Sequence, residues 1–363
     1  MSLIENQKCS GCTACVNICP KNCIEMVPDK EGFLYPKIDK SNCIECGLCK
    51  KICPINNTEK HLPFFAYAVK NKNDKERNES TSGAIFSVLA KYVLNNKGIV
   101  FGCKFNNNLQ AEHDFVETYD EIDEFRGAKY VQSNLNDSFK KVKSFLEKGR
   151  YVLFSGTPCQ IAGLDAYLGK KYEKLIKCDV VCHSVPSPKA LESYIKALEN
   201  KHNKKITKIW FRRKDMYGWQ KSNVKLKFDD GSVYQEFLVD TSFMKGFNNG
   251  LFNRPSCANC AYKDFKGKSD ITIADFWGIE NVNEKFSDNI GVSLAFVNTE
   301  IGVSLFEKMK ENIEFIKVNV EDTVIKNPFT IKSSPSHKNR KDFFDRIDSE
   351  NFENLVLELL KEE

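Results

Sequence analysis

CSGCTACVNICP (residues 9–20) and CIECGLCKKICP (residues 43–54) carry one spacing twice, C-x2-C-x2-C-x3-C-P. Loops of two residues let three thiolates cup one face of a cubane, and the proline after the fourth cysteine turns the chain away. A structural zinc site draws on CxxC pairs, so triplets argue against zinc here. In runs of this type the fourth cysteine ligates the cluster of the other run. The expected ligand sets are therefore Cys9, Cys12, Cys15 and Cys53 for one [4Fe-4S] cluster, and Cys43, Cys46, Cys49 and Cys19 for a second. Cys23, in the turn after the first run, reads as a bystander.

Residues 1–60 thus read as a two-cluster ferredoxin module. They hold eight Lys/Arg and seven Asp/Glu, a balance that suits a wired-in relay better than a detached carrier. The remaining sequence must explain what the relay serves. The chain has 363 residues, 41% hydrophobic and 28% charged, with a formal net charge of +5. That length allows two or three domains. The short basic stretches RRK (212–214) and HKNRK (337–341) read as solvated faces or contacts to a small anionic ligand, not as a nucleic-acid surface. The sequence has no apolar run long enough to span a membrane and no signal-peptide layout at its start, so a cytoplasmic location is expected. Fifteen cysteines in a reducing compartment point to metal and not to disulfides.

Beyond residue 60, strand-like and helical stretches alternate, the pattern of an α/β core. HLPFFAYAVKNKNDKERNESTSG (61–83) reads as strand, loop and helix start, with Ser80, Thr81 and Ser82 as capping oxygens. Ala84, Ile85, Val88, Leu89, Tyr92 and Val93 fall on one helical face. Strands are expected at 98–105 and 111–118, a short capped helix near 120, a helix over 134–148, and strand–turn–helix units from Tyr151 and from Lys174. Residues 205–239 turn β-rich around the hairpin signal DDGS, with further strands at 271–275, 292–298 and 314–320 and an amphipathic helix at the end. The fold class is α+β or α/β: a small dicluster module, then a mixed α/β flavin-binding domain with a β-rich C-terminal part. The expected boundaries are 1–60, 61–150, 151–345 and a C-terminal helix over 346–363.

Four further cysteines stand in loops of the kind that carry ligands in α/β folds. Cys159 lies in SGTPCQ, Cys182 in VCHSVPSP, and Cys257 and Cys260 in RPSCANC. If the loops converge, four thiolates permit zinc or a third [4Fe-4S] cluster, and the two clusters already present favour iron–sulfur. Cys103 and Cys178 read as buried, inert thiols. His183 is either a backbone-bonded loop residue or a contact to a redox ligand. Without G-x-G-x-x-G opening a helix, a nicotinamide Rossmann site is not indicated.

STSG, RGAKYVQS, FSGTPCQI, VCHSVPSP, RPSCANC and SDITIADFWGI, in this order, resemble the coenzyme F420 hydrogenase/dehydrogenase beta-subunit family over residues 62–345. Members occur in methanogens and in anaerobic bacteria. The resemblance implies FAD and a [4Fe-4S] cluster in this part of the chain. It places the flavin near Ser82, Gly83, Lys129, Tyr130, Gln132, Ser133 and Thr157, with Asp275, Trp277 and Gly278 lining the same region. Flavin also follows from electron counting, because hydride donors deliver two electrons and clusters carry one. Lys129 would suit the ring edge where negative charge gathers on reduction, and Lys129 and His183 are the candidate catalytic residues. Arg212, Arg213, Lys338 and Arg340 are candidate contacts for an anionic F420 tail. The expected activity passes electrons between an F420H2-type hydride carrier and ferredoxin or another redox partner. The alternatives are a ferredoxin-dependent reductase of another metabolite, for instance in surface-polysaccharide synthesis, and a non-catalytic electron-transfer subunit.

Overall fold

The computed structural model describes residues 4–361. Thirteen strands run in chain order: β1 (Ile24–Pro28), β2 (Leu34–Ile38), β3 (Phe65–Asn71), β4 (Ile99–Phe105), β5 (Ala111–Val116), β6 (Val152–Gly156), β7 (Leu175–Val180), β8 (Ile206–Arg213), β9 (Asn223–Phe228), β10 (Val233–Phe237), β11 (Ile271–Asp275), β12 (Ser293–Val297) and β13 (Ile313–Val318). β1 and β2 form the hairpin of the N-terminal module. β8, β9 and β10 make a small antiparallel sheet, and the other eight form one large sheet in the order β13-β3-β12-β11-β7-β6-β4-β5. Three of those eight come from 61–150 and five from 151–345, so the two stretches share a core.

The direction of these strands positions the site. β4, β6, β7 and β11 are mutually parallel. β12 runs antiparallel to both β11 and β3, so β3 points the same way as β11. The C-terminal ends of five strands therefore line one edge, where open α/β sheets bind ligands. β12, SLAFV, is buried at every position, as a strand covered on both faces must be.

The helix Ile85–Asn95 packs on one face of the sheet with Glu300–Met309, and Ser138–Glu147 and Pro158–Leu168 pack on the other. A third core joins β8–β10 to the helices Pro188–His202, Ser242–Asn248, Arg340–Arg346 and Phe352–Lys361, and it takes in Phe33 and Tyr35 of the module. The module is tied down further by the Arg340–Glu31 pair and by Ser187 Oγ donating to the Glu31 carbonyl. Among the described residues no helix is long and apolar enough to cross a membrane.

Candidate iron–sulfur and redox site

The two cysteine runs fold along one backbone path. Gly11 and Glu45, at equivalent positions, have φ of 73° and 52°, and Thr13 and Gly47 have 60° and 72°. These left-handed residues turn each loop inward before a short helix, Ala14–Ile18 or Leu48–Lys51. Burial pushes the Cys15 thiol up to about 12, with the charges of Cys9 and Cys53 adding to it. Cys53 likewise feels Cys9, and Cys49 feels Cys46 and Cys19. The fourth cysteine of each run therefore stands with the other run. Cys9, Cys12, Cys15, Cys49 and Cys53 border one cavity. All fifteen cysteines are free thiols. Cys23, expected as a bystander, lies 3.5 Å from the Cys19 sulfur.

The third set comes from three separate places. Cys159 is the second residue of the Pro158–Leu168 helix, whose start is fixed by a capping box between Thr157 and Gln160. Cys182 follows β7, and Cys257 lies within the Pro255–Asn259 turn that ends at Cys260. These loops converge. Burial raises the Cys182 thiol, and the charges of Cys257, Cys159 and Cys260 raise it further. Burial and then Cys159 and Cys260 push Cys257 up to about 12. Thiols this desolvated ionise only against strong positive charge, which an iron core supplies. An all-sulfur donor set fits the softness of iron–sulfur chemistry, and a cubane spreads its four thiolates over four irons.

Contacts between the first and third sets are close. A Cβ on Gly163 would lie 2.8 Å from the Cys12 Cβ and 3.0 Å from its sulfur, so only glycine lets this helix, with Cys159 one turn earlier, touch the module. Arg254 is 1% exposed. Its guanidinium donates to the Cys9 carbonyl (2.8 Å), Gln132 Oε1 (3.1 Å) and the Leu34 carbonyl (3.0 Å), and lies over the Tyr35 ring at 4.3 Å. Among the described residues no carboxylate pairs with it. A buried cation requires compensation, and clusters held by four thiolates are anionic. Nothing in RPSC beyond its arginine foretold this role. Tyr262, also missed, is 6% exposed. Its hydroxyl has no protein partner, and its electrostatic neighbours are Cys12, Cys159, Cys53 and Cys260. Lys263 donates to the carbonyls of Cys182 and Phe329.

The residues expected around a flavin fall along the C-terminal edge of the sheet, in separate groups. Asp275, at the end of β11, accepts from Arg212 (3.0 Å) and Trp219 (2.7 Å). Trp277 stacks on Trp219 at 4.9 Å and 4°, with the Arg212 guanidinium 5.0 Å from its ring. Tyr130 packs edge-on to Phe211 and interacts with Arg212. Thr157 Oγ1 lies 3.1 Å from the Cys159 sulfur, and Ser133 accepts from Gln160. Lys129 donates to the carbonyls of Glu124, Arg126 and Gly127, and desolvation lowers it to about 8. His183 bonds Ser184 Oγ and lies between Phe247 and Phe329; burial lowers it to about 4, so it is neutral at pH 7.

Three expectations are corrected. The helix after STSG begins at Ile85 with Ala84, φ 63°, at its cap and no side-chain cap. Ser82 instead donates to the Val292 carbonyl, and the Gly83 N–H donates to Ser293 Oγ, so neither donor is left for phosphate. Gln132 belongs to the module interface, where it accepts from the Leu34 amide and Arg254. RRK is no solvated face: Arg212 is 8% and Lys214 7% exposed, the latter donating to the carbonyls of Arg77, Ser82 and Ile290. Of the other suggested tail contacts, Arg213 is paired with Asp215 and Arg340 with Glu31. The aromatic rings of Tyr130 and Trp277 and the Arg212 guanidinium are of a chemistry that suits a flavin ring; the expected phosphate cradle at Ser82 and Gly83 does not fit, because its donors are engaged within the fold.

Residues 149–323 match the family model for the C terminus of the beta subunit of coenzyme F420 hydrogenase/dehydrogenase, and residues 8–57 match that of a 4Fe-4S dicluster domain. A search of curated proteins returned no match. Among solved structures, a chain of the F420-reducing [NiFe] hydrogenase complex from Methanosarcina barkeri, studied as a xenon derivative, is similar at 18% identity and a TM-score of 0.49, over 83% of this chain and 93% of that one. The chain thus joins a stretch that matches a 4Fe-4S dicluster domain to one that matches the C terminus of the beta subunit of coenzyme F420 hydrogenase/dehydrogenase.

Proposed function

We propose that the chain is a flavin- and iron–sulfur-dependent oxidoreductase that passes electrons between an F420H2-type hydride carrier and ferredoxin or a similar one-electron partner. The observation that carries this reading is the contact of Cys12 with the helix of Cys159 across Gly163, which makes the three cysteine sets one continuous route. FAD, when bound, takes up a hydride and releases electrons singly to clusters. Tyr130, Thr157, Asp275 and Trp277 are the residues that would hold its ring. Asp275 fixes Arg212 and Trp219, and Lys129 and Arg212 supply positive charge where the reduced ring gathers negative charge. His183, neutral and packed between aromatic rings, keeps the third set's surroundings dry. Residues 1–60 are the relay unit, and 61–345 the substrate-facing unit.

The far end of the route is the loop of Cys43–Leu48. Cys46 is exposed, Ile44 is 58% exposed beside exposed Leu48, and Lys50 and Lys51, which follow the loop, are exposed. An acidic one-electron carrier would reach the second set here. A second reading, a non-catalytic electron-transfer subunit, draws support from the internal engagement of Ser82, Gly83 and Lys129.

Anaerobic assays on the reconstituted chain decide between these readings. Flavin retention with reduction of flavin and clusters by F420H2, but not by NADPH, is the expected result. A flavin-free chain reduced only by ferredoxin or viologen would establish the electron-transfer subunit. Retained flavin with reduction by ferredoxin alone would turn the search to another metabolite.

A further inference from the structure

We propose that Cys19 and Cys23 form a reversible disulfide when the second set stands without its cluster in the presence of peroxide, and that this bond preserves Cys19 for reassembly. The inference rests on the reading of Cys19 as a ligand of the second set, and it gives a role to the one thiol of the module outside both sets. The two sulfurs lie 3.5 Å apart, and both are free thiols. A bond between them asks for a side-chain adjustment of only about 1.5 Å. The main chain holds the pair in place. The Asn22 amide donates to the Cys19 carbonyl at 3.2 Å, and the Asp39 amide to the Cys23 carbonyl at 2.8 Å. Asn22, with φ 47°, turns the chain back between them. Cys23 is 8% exposed, whereas Cys19 is only partly buried, and its set is the one that opens to solvent at Cys46. Oxidant therefore reaches Cys19 first. Its thiolate attacks the peroxide, the O–O bond breaks, and a sulfenic acid and hydroxide result. The Cys23 sulfur then attacks the sulfenic sulfur. The S–S bond forms, the S–O bond breaks, and the departing hydroxide leaves as water with the Cys23 thiol proton. The two sulfurs together lose two electrons, which the peroxide oxygens take up. Without a thiol at hand, a sulfenic acid goes on to sulfinic and sulfonic acids, which are not restored by thiol reductants.

The test treats the reconstituted full-length chain with hydrogen peroxide until about four iron are lost, blocks free thiols with N-ethylmaleimide and maps the peptides by mass spectrometry. Iron and sulfide are then added back under dithiothreitol. The parent should yield a peptide linked through Cys19 and Cys23 and regain its iron. Cys23→Ser should hold as much iron as the parent before peroxide, carry sulfinic or sulfonic acid at Cys19 after it, and recover about four iron fewer. A parent without the Cys19–Cys23 link would overturn the proposal, and that result needs no variant. Equal recovery of iron by the parent and Cys23→Ser would overturn it too. Full iron in Cys19→Ser before peroxide would instead defeat the reading of Cys19 as a ligand, and the mapped link would still decide whether the disulfide forms.

Discussion

The two cysteine runs have one spacing and one backbone path, yet they stand in opposite surroundings. The first is pressed against the Pro158–Leu168 helix, Arg254 and Gln132. Burial pushes Cys15 up to about 12, and a Cβ on Gly11 would meet the Gln132 amide at 2.7 Å. The second run is open: Cys46 is exposed, and a Cβ on Gly47 would meet nothing within 4 Å. Spacing dictates how three thiolates cup a cube. Packing dictates which cube faces the inside of the molecule and which faces a partner. The same motif can thus serve as the inner and the outer terminal of one relay.

The contrast can be broken by mutation. Gly163→Val, which would drive a side chain into Cys12, should have the largest effect: loss of about four iron per chain and about 3 kcal/mol of stability. Iron analysis and urea denaturation measure both, and the second-run resonance should persist. Arg254→Met strands the Cys9 and Leu34 carbonyls beneath the first run. A loss of about 3 kcal/mol is expected, and an unchanged denaturation midpoint would refute the structural role. Gly11→Ala and Gly47→Ala both place a Cβ on a left-handed residue, at about 1–2 kcal/mol each. Only Gly11→Ala adds a collision, so it should cost about 1 kcal/mol more; equal losses would erase the difference between the runs. The smallest effect on stability, within about 0.5 kcal/mol, belongs to Lys50→Glu combined with Lys51→Glu. Stopped-flow exchange with an acidic carrier should nevertheless slow roughly tenfold at low salt, and a rate that does not change would move the docking face elsewhere.

What could be read from sequence follows the same division. The two runs are local, so spacing alone proposed eight ligands and an exchange between runs, and the fold brings Cys53 beside Cys9 and Cys19 beside Cys49. The strands at 271–275, 292–298 and 314–320 appear within one or two residues of the expected bounds, because each is a short apolar run ending in a turn. The third set was legible only as four loop cysteines left unassigned; sheet topology brings them together. Arg254 and Tyr262 were not legible, since a buried arginine and an orphaned hydroxyl have no periodicity. The STSG stretch misled for a definable reason. Hydroxyl residues before an apolar helix look like a cap, but here the Ser82 hydroxyl bonds the Val292 carbonyl just before β12 and the Gly83 N–H bonds Ser293 at its start, more than two hundred residues later. RRK misled likewise, because its charges are matched by Asp275 and by backbone carbonyls that composition does not reveal.

The central claim is that Cys159, Cys182, Cys257 and Cys260 complete a third cluster in contact with the first. Anaerobic determination of iron, sulfide and zinc on the full-length chain, with and without Cys159→Ser, tests it directly. About twelve iron per chain with little zinc, falling to about eight in the variant, is the predicted result. About eight iron and one zinc in the parent, with the zinc lost on substitution, would contradict it.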